Sequence, residues 1–127
     1  MALAVPLSRF TSRVGGGSAF FVRLHERMSP SEVSQLIAGE IGGDWNRANP
    51  HGVDLRTCLV APARRRFIDA SDKNQTLDLW LVLEEHPQTH DGYKIVFDES
   101  LKQYGLASSG DVFIGYYGTF IETLDAM

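Results

Sequence analysis

Leu77, Leu79, Leu81 and Leu83 alternate with Asp78, Trp80, Val82 and Glu84. A spacing of two cannot keep four leucines on one side of a helix, but it places them on one face of a β-strand. A strand needs a neighbour, so this stretch commits the chain to a sheet. The segment Pro87–Gly92 that follows ends in Asp91-Gly92, a pair suited to the turn of a β-hairpin. Alternation resumes over 93–98, with Tyr93, Ile95 and Phe97 sharing a face, and two further short strands are predicted over 103–107 and 112–117. Upstream, Leu55, Thr57 and Leu59 alternate with Arg56, Cys58 and Val60, which predicts a first strand. Pro62 interrupts it, and 64–69 reads as a loop or a short second strand.

Two helix starts bracket this region. Ser29-Pro30-Ser31-Glu32 is a capping box: a serine cap, proline at the first helical position and glutamate three residues on. Val33, Leu36, Ile37 and Ile41 recur behind it at helical spacing, and Gly42-Gly43 ends the helix near residue 41. Thr119-Phe120-Ile121-Glu122 repeats the box near the C-terminus, with Phe120, Leu124 and Met127 on one face of about two turns. The expected fold is α+β: an antiparallel four- to five-stranded meander with an N-terminal helix and a short C-terminal helix on the sheet. The helix over 30–41 is expected to cover the leucine face of 77–83.

At 127 residues with 43% hydrophobic content, the chain suits one domain with a core of its own. A single Cys58 excludes an internal disulfide and any multi-cysteine zinc site. No apolar run approaches the roughly 20 residues that span a bilayer. Residues 1–27 differ from the rest. They hold Gly15-Gly16-Gly17-Ser18, scattered arginines and the short apolar run Ala19-Phe20-Phe21-Val22. This segment reads as a poorly structured extension ahead of a single α+β domain over 28–127, with Met28 an alternative start. Four arginines against one glutamate give the extension a charge of +3, and eight basic against fifteen acidic side chains give 28–127 a charge of −7. So acidic a body disfavours nucleic acid, whose phosphates supply most of the affinity in such binding, and suits a basic protein partner.

The residues with chemical potential do not assemble into a catalytic set. His86 and His90 have metal-ligand spacing only on a helix, and Pro87 lies between them. His51 beside Asp54 sits in a glycine- and proline-bounded loop, and Cys58 has no nearby base to form a thiolate pair, so it reads as buried. Arg64-Arg65-Arg66 reads as a solvated loop or a charge-guarded edge strand. Gly115 and Gly118 flank Tyr116 and Tyr117, which fill the space a phosphate would need, so these glycines read as a bend into the last helix. No catalytic residue, metal ligand or cofactor is expected.

The stretches 91–98 (Asp91-Gly92-Tyr93-Lys94-Ile95-Val96-Phe97-Asp98), 104–107 (Tyr104-Gly105-Leu106-Ala107) and 114–127 (Ile114-Gly115-Tyr116-Tyr117-Gly118-Thr119 onward) resemble small bacterial immunity proteins. These belong to toxin–immunity pairs of the contact-dependent growth inhibition type, and the similarity extends over roughly 28–127. The resemblance implies a cytosolic protein that binds one cognate toxin and blocks its active site, with no membrane partner. A basic nuclease is the kind of toxin the −7 body would attract. Residues beside turns are the expected contacts: Glu84, Glu85, Asp91, Asp98 and Glu99, with Trp80 or Tyr117 as aromatic anchors. The alternatives are a domain with a structural or regulatory protein-binding role and a small enzyme. A pocket in which His51, Asp54 or His90 converge would favour the enzyme.

Overall fold

A computed structural model describes residues 27–127. The expected extension over 1–27 lies outside the described residues except for Arg27. Helix α1 spans Pro30–Ile41 and starts on the predicted capping box. The Ser29 hydroxyl accepts the Glu32 amide, and the Glu32 carboxylate accepts the Ser29 amide. Gly42, at φ 63°, closes it in the left-handed conformation that glycine adopts without strain.

The next element departs from expectation. Residues Leu55–Cys58 form a one-turn helix, α2, and not the start of a strand. Asp54 caps it through the Arg56 amide at 3.0 Å, and Leu55 and Cys58, three apart, are both buried. Four residues are too few for period two to be told from period three, and the aspartate cap decides. Cys58 is buried as expected. Strand β1 then runs Leu59–Asp69, through Pro62, which a register shift between Leu59 and Ala63 absorbs.

Strands β2 (Asp72–Glu84), β3 (Lys94–Asp98), β4 (Gln103–Ser108) and β5 (Val112–Gly118) follow, each antiparallel to the one before. Helix α3, Phe120–Ala126, starts on the second capping box, with Gly118 at φ 105° supplying the bend from strand to helix. The class is α+β, and the order of the strands is that of a meander. The sheet is not an open one, however. Parallel pairing of Ile68 with Val112 and of Asp69 with Phe113 joins β1 to β5 and closes a five-stranded barrel. Two backbone bonds seal it: the Ile68 amide to the Asp111 carbonyl and the Ala70 amide to the Phe113 carbonyl, both 2.9 Å.

Closure gives every strand an inner and an outer face, and over β3, β4 and the second half of β2 both are buried. Phe67, Leu79, Leu81, Val96, Ala107 and Phe113 form a core to which all five strands, and no helix, contribute. This is the barrel interior. Trp80, Val82, Leu83, Ile95, Phe97, Tyr104 and Leu106 face outward and pack with Val33, Ile37 and Ile41 of α1 and with Phe120 and Leu124 of α3. The expected leucine face is therefore corrected. Leu79 and Leu81 point into the barrel, and Trp80 and Val82 lie instead in the outer layer that includes the residues of α1 and α3. A register shift between Leu81 and Leu83 turns Leu83 to the helix side. Gly105 is needed inside: a Cβ there would lie 2.5 Å from the Gly115 carbonyl oxygen and 2.7 Å from the Phe113 ring.

Candidate functional site

The seven side chains expected to meet a partner separate to the two ends of β3. Glu84, Glu85 and Asp91 lie at the Lys94 end, around the loop from β2 to β3. Trp80, Asp98, Glu99 and Tyr117 lie at the other.

In the loop, the Glu85 carboxylate accepts the Tyr93 amide at 3.0 Å and faces His51 Nδ1 at 2.7 Å, with His86 Nε2 at 4.0 Å. The His51 ring meets Tyr93 edge-on at 5.5 Å. Gly92, at φ 80°, lets the chain pass so close to Glu85 and His86 that a side chain there would strike both. Glu84 is buried at 3% exposure, with both carboxylate oxygens 3.0 Å from His90 Nδ1. Its place as an exposed contact residue is corrected: it points into the mouth of the barrel, opposite Lys94. Asp91 is exposed and accepts the Thr89 hydroxyl. Thus His51 goes to Glu85, His90 to Glu84, and Asp54 to the cap of α2. The three residues whose convergence would favour an enzyme are directed to three separate tasks.

At the far end, Trp80 is also buried, at 3% exposure, which corrects its reading as a surface anchor. Its indole N–H donates to Glu99 at 2.9 Å, and the Arg64 guanidinium lies over the ring at 5.2 Å. Glu99 also takes the Met28 amide at 3.1 Å and Arg64 at 3.3 Å. Asp98 accepts the Ser100 and Leu101 amides through one oxygen and the Tyr116 hydroxyl through the other. Glu85, Asp98 and Glu99 are half-buried structural acceptors, which leaves Asp91 and Tyr117 as the exposed members of the expected set.

A third cluster has no counterpart in the sequence reading. Lys94, whose side chain is 3% exposed, sets its ammonium 3.1 Å from Asp111, which also pairs with Arg65. The signal for it was limited to Asp111 following Gly110 at a turn. Nothing in the local pattern linked that turn to positions 65 and 94.

Glu85, Glu99 and Asp111 are each held below the ordinary carboxylate range. Burial is the largest single influence on each and acts upward. It is outweighed in Glu85 by the Tyr93 amide and by His51 and His86. In Glu99 the Trp80 and Met28 hydrogen bonds and the charges of Arg64 and Lys102 outweigh it, and in Asp111 Arg65 and Lys94 do so. A carboxylate with a depressed folded value contributes stability above its unfolded value of about 4 and loses it as pH falls through the folded value. Urea midpoints are therefore expected to hold steady from pH 7 to about pH 5 and to fall steeply below about pH 4. The fall should be shallower in Asp111→Asn; an unchanged slope would show that Asp111 does not contribute.

Comparison of the chain with protein-family models, with curated proteins and with solved structures gives no match. Among the described residues, no helix is long and apolar enough to cross a membrane, and no three His, Cys, Asp or Glu side chains gather as a metal site would need.

Proposed function

We propose that this protein binds a cognate protein toxin in the cytosol and neutralises it by stoichiometric occlusion of the toxin's active site. The observation that carries this reading is the net charge of the body, −7 over 28–127. Arg47, Arg64, Arg65 and Lys94 are engaged by the protein's own Asp44, Asp125, Asp78, Glu99 and Asp111. Glu32, Asp54, Asp72, Asp91 and Glu122 remain exposed to water. Arg56, Arg66, Lys73 and Lys102 are exposed as well, but the body keeps its net charge of −7, which would draw in a basic partner such as a nuclease and speed the encounter. The resemblance of 91–127 to immunity proteins supports the same reading.

Co-expression with the toxin encoded beside it should protect cells, and in vitro inhibition should saturate at a fixed molar ratio. Progressive inactivation by substoichiometric protein would instead indicate an enzyme and overturn the proposal. Charge reversal belongs at exposed sites. Asp72→Lys with Asp91→Lys is expected to slow association about tenfold at low salt, with the difference shrinking as ionic strength screens the field. Reversing Glu84 or Glu99 would act on folding, because one is buried and the other holds Trp80, Met28 and Arg64.

A further inference from the structure

The barrel closes over only two residue pairs, and the remainder of β5 is left with a partner on one side alone. Pairing with β1 ends at Phe113, while Ile114–Gly118 continue past the end of β1, bonded to β4. Among the described residues, no backbone group elsewhere in the chain bonds to this outer edge. The corresponding free stretch of β1 carries Pro62 and Arg64-Arg65-Arg66, the features that keep an edge from pairing with another chain. On β5 the sequence Val112-Phe113-Ile114-Gly115-Tyr116-Tyr117-Gly118 has neither proline nor charge; its register shifts against β4 fall at Ile114 and Tyr117, which stand out of the ladder 43% and 41% exposed.

The ground around this edge is acidic. Asp98 accepts the Tyr116 hydroxyl at 2.5 Å, and Asp69, at the end of β1, acts on the same hydroxyl; burial and these two carboxylates hold it above its ordinary range. The Glu122 carboxylate lies against Gly118. We propose that the free edge of β5 docks an extended, basic segment of a partner protein as an added strand. The backbone of Ile114–Gly118 would supply the ladder, Ile114 and Tyr117 the apolar contacts, and Asp69 and Glu122 the preference for lysine or arginine. This rests on the proposed function and names the contact through which a basic toxin would be held.

The test uses the full chain and two synthetic hexapeptides, one alternating lysine with valine and the other glutamate with valine. The basic peptide is expected to bind and to slow amide hydrogen exchange at 115–118, and the acidic one to bind at least tenfold more weakly. Ile114→Lys adds a charge at an exposed edge position and is expected to weaken basic-peptide binding about tenfold while leaving the urea midpoint unchanged. Equal binding of both peptides, protection confined to β1 or the loops, or no protection at millimolar peptide would each overturn the proposal. So would a dimer in sedimentation that Ile114→Lys dissociates, since the edge would then be filled by a second copy. Full neutralisation of the toxin by Ile114→Lys would overturn this docking mode and leave the proposed function standing, whereas failure of the wild-type chain to neutralise would overturn that function.

Discussion

Replacing Asp111 with alanine is expected to lower the unfolding free energy by about 1–3 kcal/mol, the cost of leaving the buried Lys94 ammonium without its partly exposed partner. Lys94 would keep an ammonium inside the mouth of the barrel without its carboxylate. Asp111 also adopts φ 58°, a left-handed conformation in which aspartate is tolerated and alanine is strained. Its carbonyl oxygen receives the Ile68 amide, one of the two bonds that close the barrel. One residue thus joins β1, β3 and the turn before β5 through both its side chain and its backbone. Asparagine at this position keeps the acceptor and the backbone preference, so Asp111→Asn should cost less than alanine. Urea titration with paired comparison of the two variants checks this. A loss under about 1 kcal/mol for alanine would mean that Lys94 has found another anion, for which Glu84, directly opposite on β2, is the candidate. The double variant with Glu84→Gln would then restore the full loss.

Neighbouring positions on β2 should both be intolerant of truncation. Leu81→Ala is expected to cost about 2–5 kcal/mol and Trp80→Ala about 3–5 kcal/mol, because one empties the barrel interior and the other the layer under the helices. Trp80 carries a further penalty. Its removal frees the Glu99 carboxylate that holds Arg64 and the Met28 amide. A strand on an open sheet with one wet face would show the alternation the leucines suggest, with large losses at odd positions and small ones at even positions. Thermal or urea unfolding of the two variants distinguishes the arrangements. A near-neutral result at either residue would mean that its face is open to water.

Local sequence patterns carried much of the architecture. Both capping boxes stand where Ser29-Pro30-Ser31-Glu32 and Thr119–Glu122 place them, because a cap is made among residues three apart and needs nothing from the rest of the fold. The strands expected over 77–84, 93–98, 103–107 and 112–117 follow from period-two alternation and from the turns between them, again local quantities. The polar start of β2 at 72–76 carries no such alternation and is strand through its pairing with β1. Local reading failed at Leu55–Cys58, where a four-residue window holds too little periodicity to separate a strand from a capped turn.

The candidate site was legible only in part, because exposure is not a local property. Glu84 and Glu85 are adjacent acids beside the same loop, yet one faces the barrel mouth and the other His51 and Tyr93. Trp80 looks like a surface aromatic while the leucines around it are taken as the only buried face; once helices cover the outer side of the barrel, it becomes core. Asp91 and Tyr117 kept their exposed positions because nothing folds back over them. Apart from 55–58 and the open reading of 64–69, the sequence alone determined which segments are strand, which are helix and in what order consecutive strands pair, since contacts between neighbours in the chain set these. Tertiary structure alone decided that β1 meets β5, and so which charges lie inside and which edge is left free. That contact joins residues more than forty positions apart and depends on the twist of the whole sheet, to which no single segment holds the key.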